Sequence, residues 1–274
     1  MKPALIKSFS KNASTYDLHS HIQKEVNQRL LSRLSLIKHS PDTILDIGSG
    51  TGELSILLGK NIPYSKIYST DICLDMIDIH KAKKDLALKI VADAEQLPFK
   101  QLSFDTIISS LTFHWCNVDD FFFSNFLRLL KPGGLILFSV AGPETLKEFR
   151  RCPLEISNKL KLNSFLDMHH YGDFLLRSLF EDPVVDSEEI VLEFSSFNSL
   201  MNSLRKTGTN IDLNDSKRQF ISKNEYKMIK ASTYNAQKKT YELTYEIIYG
   251  YAIKSKKNPI NPSNFIPIKE AKKD

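Results

Sequence analysis

The chain has 274 residues, 42% of them apolar and 10% aromatic, enough to build one large α/β domain or a domain carrying an insertion. No apolar run approaches the ~18 residues that a bilayer requires, so no membrane span is expected. The net charge of +5 is uneven: fifteen Lys/Arg against seven Asp/Glu from Met201 onward give +8, so residues 1–200 carry about −3 and the C-terminal part is suited to an acidic partner or to a solvated lysine surface.

Met1 to Lys11 lacks the apolar core of a secretory signal and the Arg-rich stretch of a mitochondrial address. Cys73, Cys116 and Cys152 lie far apart with no Cys-x-x-Cys pair. Buried free thiols in a reducing cytoplasm are expected, with neither a disulfide framework nor a zinc site. His21, Ile22, Glu25, Val26, Arg29, Leu30 and Leu34 follow a helical period. Ahead of them, Phe9 and Tyr16 flank small residues; the segment either folds over a pocket or anchors an N-terminal helix to the core.

Ile44-Leu-Asp-Ile-Gly-Ser-Gly-Thr-Gly52 reads as a buried strand running into a glycine turn, and Glu53 to Leu58 as the opening of a helix. Strand, turn and helix N-terminus make a nucleotide-type site, with bare backbone for a ligand to lie against. The spacing is G-x-G-x-G (Gly48, Gly50, Gly52), not the dinucleotide G-x-G-x-x-G, and no Lys-Ser or Lys-Thr of a phosphate loop follows. Asp46, just ahead, would repel a pyrophosphate and suits a ligand carrying a cation.

Lys66 to Ile72 reads as the second strand and ends in Asp71, 19 residues beyond Gly52, where a carboxylate grips ribose hydroxyls. Met76 falls on the next helix, close enough to pack on an adenine face. A short strand at Lys89 to Val91 leads to Asp93, Ala94 and a Leu97-Pro98-Phe99 wall; an Asp here can accept from an exocyclic amine. Phe104 to Ser110 is the fourth strand, with Leu111, Phe113, His114 and Trp115 at its ligand-binding end. His114 and Trp115 are expected to line the cofactor pocket. A helix from Asp119 to Leu130 is expected to end at Leu130-Lys-Pro-Gly-Gly134, followed by a fifth strand over Leu135 to Val140.

Asp46, Gly48, Gly50 and Gly52, Asp71, Asp93 with Ala94, and the Leu-Lys-Pro-Gly-Gly turn, in this order, resemble the class I S-adenosylmethionine-dependent methyltransferases over about residues 40–142. The resemblance implies a Rossmann-like α/β fold, a mostly parallel seven-stranded sheet flanked by helices, with S-adenosyl-L-methionine as cofactor. The implied cofactor residues are Asp46, Gly48, Ser49, Gly50, Gly52, Asp71, Ile72, Met76, Asp93, Ala94 and Ser110.

Further motifs narrow the family. Phe9-Ser10 with Thr15-Tyr16-Asp17, Gly142 to Arg150, Asp167-Met168-His169, Gly172-Asp173, Phe180 to Asp186 and Leu243 to Gly250 resemble the malonyl-acyl carrier protein O-methyltransferases of biotin synthesis, to about residue 252. The resemblance implies that Arg150 grips the malonyl carboxylate and that Tyr16 helps close the site. It also implies docking of an acidic carrier protein on the basic face that holds Arg205, Lys206, Lys217, Arg218 and Lys223. No metal, nucleic acid or membrane partner is expected. His169 and His170 lack ligands at metal spacing.

The expected organisation is a helical lid segment over 1–40, a cofactor-binding core over 41–145, a helical cap insertion with completion of the sheet over 146–252, and a flexible basic tail over 253–274. Within the third part, Leu160 to Leu179 reads as helix, Ile190 to Phe194 and Tyr241 to Tyr251 as strands, and Ser196 to Thr207 as helix. Thr207 to Asn214 has one glycine, Gly208, where the family carries several, a departure at the surface expected to meet the carrier. Two rival readings remain at this point. One is resemblance to the complex I assembly methyltransferase-like proteins, which modify an arginine. The other is a non-catalytic module that keeps the cofactor loop for structure alone.

Overall fold

From Thr43 onward, strands and helices alternate, and parallel strands need such crossovers because a tight hairpin cannot join them. The computed structural model describes residues 2–160, 162–207 and 221–256. Three helices come first: α1 (Lys2–Asn12), α2 (Tyr16–His19) and α3 (His21–Leu36). The alternating part is β1 (Thr43–Ile47), α4 (Glu53–Asn61), β2 (Lys66–Asp71), α5 (Leu74–Ala82), β3 (Leu88–Val91), β4 (Phe104–Ser110), α6 (Asp120–Leu129) and β5 (Leu130–Ala141). Then follow α7 (Lys147–Arg150), α8 (Leu154–Leu160), α9 (Met168–Arg177), β6 (Glu181–Phe194), α10 (Phe197–Lys206), α11 (Lys223–Ser232), β7 (Tyr234–Asn235) and β8 (Thr240–Ile253).

The sheet runs β3-β2-β1-β4-β5-β8-β6, parallel as far as β5 and antiparallel across β5-β8 and β8-β6. Two-residue β7 pairs with β8 beside this seven-strand path, so that eight strands occur among the described residues, seven of them on the expected path. Both faces of the central strands are covered. Ile44 joins an apolar cluster with Val26 and Leu30 of α3, Leu58 of α4 and Leu200 of α10. Its neighbour Leu45 points the other way, into a cluster with Phe122, Phe123 and Phe126 of α6 and Tyr171 of α9. Alternate sides of one strand thus feed two cores, and that is why Ile44 and Leu45 are both apolar.

Three readings of local structure change. Of the helix expected over Leu160 to Leu179 only α9 forms; α8 ends at Leu160, and 162–167 is non-helical. Asp167 caps α9 by accepting from the His169 N–H, and the Asn163 carbonyl is held by Arg150. The Leu130-Lys-Pro-Gly-Gly134 segment does end α6, but it opens β5 directly: Gly133 takes a left-handed φ of 77°, and Gly133 and Gly134 exchange backbone hydrogen bonds with Lys254. The strands expected over Ile190 to Phe194 and Tyr241 to Tyr251 are longer and pair with each other from Glu181↔Ile253 to Phe194↔Tyr241. The helix α10 forms where expected, with Ser196 and Ser199 in a capping box. Gly208 to Asn214, Lys217, Arg218 and the tail beyond Lys256 lie outside the described residues.

Candidate functional site

At the C-terminal ends of β1, β2 and β4 lies a solvent-open cleft roofed by α1, α2 and the start of α3. The glycine turn after β1 is pinned from below, where the N–H groups of Gly48 and Ser49 both donate to the Thr70 carbonyl of β2. All three glycines have left-handed φ (72°, 53° and 87°), but for different reasons. A Cβ on Gly48 would stand 2.0 Å from Thr112 Oγ1, and one on Gly52 2.1 Å from the His80 ring, whereas Gly50 has nothing within 4 Å. Gly48 and Gly52 let the turn pack; Gly50 leaves backbone bare toward the cleft.

Asp71 ends β2 in the cleft wall. One carboxylate oxygen accepts from the Gly50 N–H (2.9 Å) and the other from the Cys73 N–H (2.8 Å), so the carboxylate fixes the glycine turn and keeps lone pairs for a ligand. Burial pushes its carboxyl pKa up, against the pull of these N–H donors. Asp93 accepts from the Glu95 N–H at 3.0 Å and meets Lys2 Nζ of α1 at 2.6 Å; Lys2 also reaches Glu95 at 2.9 Å.

The roof is fastened at several points. Phe9 of α1 stands edge-on to Tyr16 (centroids 6.3 Å apart) and to Trp115 (6.2 Å), an aromatic row across the cleft. Ser10 donates to Asp75 of α5. Asp17 accepts from Thr51 Oγ1 (2.5 Å) in the glycine turn and meets Lys83 Nζ at 2.6 Å. The Tyr16 phenol is pushed well above its ordinary pKa by burial and then by Asp71 and Asp17, and stays protonated.

The far side of the cleft is built by residues after β4 and β5. Two leucines there hold left-handed backbone, unusual for a residue with a branched side chain: Leu111 (φ 50°) and Leu146 (φ 59°). Leu111 follows β4 and turns the chain into Phe113–Trp115, placing His114 on the cleft. Leu146 starts α7, which ends at Arg150. Arg150 is half-buried and donates to the carbonyls of Thr145 (Nε, 3.3 Å) and Asn163 (Nη2, 2.6 Å). Among the described residues it has no carboxylate partner; Glu148 instead accepts from the N–H and hydroxyl of Thr244. Tyr245 of β8 lines the same side, its phenol kept protonated by burial and by Glu148 nearby.

Of the residues singled out from sequence, the cleft brings together Tyr16, Gly48, Gly50, Asp71, Ile72, Met76, Asp93, Ala94, Ser110 and Arg150. Three lie elsewhere. Gly52 packs on His80. Asp46 and Ser49 line a smaller adjoining cavity with Gln23 and Asn27 of α3. Asp46 is 1% exposed, accepts from Ser55 Oγ at 2.5 Å and lines this adjoining cavity rather than the main cleft. Cys73 and Cys152 are buried thiols, but Cys116 is only half-buried and lines the cleft, with burial pushing its thiol up to about 12. No group of metal-ligating side chains occurs among the described residues, and His169 and His170 are exposed. Sequence reasoning missed Lys2, Thr112 and the cleft placement of Tyr245. A lone lysine, threonine or tyrosine carries no pattern; only the fold puts it here.

A family model described as "Methyltransferase domain" matches residues 45–138. Over 97% of its length the chain is 33% identical to the malonyl-acyl-carrier protein O-methyltransferase of Methylovorus sp. strain MP688, of which 94% is covered. It is 34% identical to the protein of the same description from Laribacter hongkongensis, covering 89% of this chain and 86% of that one. Among solved structures it resembles the YcgJ protein of Bacillus subtilis, with a TM-score of 0.59 and 17% identity over 83% of this chain and 98% of that one, a likeness of fold.

Proposed function

Because the chain belongs to the malonyl-acyl-carrier protein O-methyltransferase family, we propose that it methylates the free carboxylate of a malonyl thioester carried on acyl carrier protein, with S-adenosylmethionine as donor. In the early steps of biotin synthesis, where the family resemblance places it, the product is a malonyl methyl ester. The observation that carries the reading is Arg150: a half-buried guanidinium lining the same cleft as the glycine turn, anchored by two carbonyls and free of any carboxylate among the described residues. Two of its five N–H donors are used, and the rest suit a carboxylate. The relatives' names specify O-methyl transfer to a malonyl group, which favours this reading over modification of an arginine.

The residues present fit the methyl donor. Gly50 leaves a cradle that a Cβ would fill. Beside it, Ser49 Oγ, Gln23 Oε1 and Asn27 Oδ1 are buried without a partner, and they suit the amino and carboxylate groups of an amino-acid moiety. Asp71 would take the ribose hydroxyls, with Ile72 and Met76 against the base and Asp93 and Ala94 at its edge. When bound, S-adenosylmethionine supplies an activated methyl group. The malonyl carboxylate is already ionised at neutral pH, so no residue needs to remove a proton. Arg150 fixes the direction of the carboxylate, and placement of the reacting atoms is most of the catalysis. Tyr16 and Phe9 exclude water from above.

The acidic carrier protein is read as docking on the basic surface that includes the exposed Arg205, Lys206 and Lys223. Exposed charge mainly raises the encounter rate and is screened within ~8–10 Å at physiological salt. Turnover of the carrier-bound substrate should then fall more steeply with added salt than turnover of malonyl-coenzyme A. The reading as a whole is tested by incubating the protein with labelled donor and malonyl-carrier protein and weighing the product. A gain of one methyl group, lost on ester hydrolysis, is the result expected; an unmodified carrier would overturn it.

A further inference from the structure

His114 and Arg150 are hung from the same two pieces of chain. The end of β5 and the turn after it hold both: the Ala141 N–H donates to His114 Nδ1 (3.4 Å), and the Thr145 carbonyl accepts from Arg150 Nε (3.3 Å). The stretch before α9 holds both again. The Asn163 carbonyl accepts from Arg150 Nη2 at 2.6 Å, and the Phe165 ring stands edge-on to the His114 imidazole, centroids 5.4 Å apart at 88°. Each side chain also follows a left-handed leucine that aims it, Leu111 for His114 and Leu146 for Arg150. Both line the one cleft.

The bond to Ala141 decides what the imidazole offers. With Nδ1 accepting, a neutral ring carries its proton on Nε2 and is a donor there. Nε2 has no hydrogen-bond partner among the described residues, and the residue lines the cleft. The ring is neutral in the working range, because burial holds its pKa down at about 3. His114 is therefore a single uncharged donor beside a charged fork.

A malonyl thioester presents a carboxylate and, one methylene away, a thioester carbonyl. We propose that His114 Nε2–H donates to the thioester carbonyl while Arg150 takes the carboxylate, so that the pair measures the one-methylene spacing and selects malonyl over longer diacid thioesters. This rests on the function proposed above. A neutral donor matches a neutral carbonyl, and a site built to donate a hydrogen bond rejects an acceptor that is absent or displaced.

The test compares wild type with His114→Leu and His114→Gln on malonyl- and succinyl-carrier protein, with S-adenosylmethionine affinity by titration calorimetry alongside. The Leu variant is expected to lose on the order of tenfold in kcat/KM for malonyl and little for succinyl, while binding the donor as wild type does. The Gln variant, which keeps an N–H donor, should restore most of the malonyl preference. Long-range proton–nitrogen NMR should show the His114 proton on Nε2. A Leu variant that keeps the wild-type malonyl preference overturns the proposal, as does one that loses donor affinity together with both activities. A wild-type enzyme that esterifies no malonyl thioester removes the function on which it rests.

Discussion

Asp17 and Lys83 stand 2.6 Å apart, carboxylate to ammonium, and the same Asp17 accepts from Thr51 in the glycine turn. The roof is thereby tied both to the loop beneath it and to the end of α5. The pair is partly exposed, so its worth is modest, roughly 0–1 kcal/mol. Lys83→Met should weaken binding of S-adenosylmethionine by about two- to fivefold, mainly through faster release, and should raise hydrogen exchange over residues 2–19. Unchanged exchange there would show that the other ties of the roof hold it without Lys83.

Gly48 and Gly50 should fail differently. Alanine at either carries the left-handed strain of about 1–2 kcal/mol. At Gly48 the new methyl also meets Thr112, so Gly48→Ala should lower the urea midpoint well beyond that of Gly50→Ala. At Gly50 the methyl projects into open space that the donor would fill. Gly50→Ala should fold and yet bind the donor at least tenfold more weakly, as read by calorimetry. Equal stabilities and equal affinities of the two variants would contradict this division.

Arg150→Lys should lose nearly as much turnover as Arg150→Ala. Lysine brings charge but no planar fork, and it cannot hold the Thr145 and Asn163 carbonyls while presenting two parallel donors. Donor affinity should not change in either variant. A lysine enzyme with most of its turnover would mean that charge neutralisation, not orientation, is what the position supplies.

Asp46 gives a pH prediction. Burial raises its carboxyl to about 7 in the fold, against about 3.9 in an unfolded chain. The folded state therefore holds a proton that the unfolded state has released between these values. Stability contributed here is present below about pH 4, declines as pH rises toward 7, and changes little above it. Asp46→Asn resembles the protonated form and should flatten that decline. Urea midpoints taken from pH 4 to 8 on both proteins measure it; parallel curves would place the slope elsewhere.

Much of the donor side was legible in the sequence because it is written in consecutive residues. A glycine turn, an acid ending the next strand and an acid ending the third each announce themselves by local spacing, and the strands Lys66–Asp71 and Phe104–Ser110 fall within a residue of their expected ends. What the spacing could not say is which glycine faces the ligand; that depends on Thr112 and His80, more than 25 residues away. That Asp46 accepts from Ser55 on the helix behind the turn was likewise not readable from local spacing. The stretch over 162–167 read as helix because its apolar period is adequate; Arg150, from another segment, captures the Asn163 carbonyl and holds the chain open. The antiparallel pair of β6 and β8 was read short because the residues of β6, at the sheet edge, alternate with charge.

The placement of β8 beside β5 also sets an order of assembly on the ribosome. β5 ends at Ala141, but its second neighbour is completed only at Ile253, about a hundred residues later. At roughly 5–20 residues per second, the wait is on the order of 5–20 s. Through that interval a strand buried at almost every position from Gly134 to Ala141 in the finished protein has an unpaired edge. The nucleotide-type half can thus form on the nascent chain while Tyr245 and the Thr244 contact that steadies α7 do not yet exist. Slow synthesis of the last third should therefore expose this edge to chaperones or to a neighbouring nascent chain, and codon changes there should alter yield of folded protein without altering its final stability.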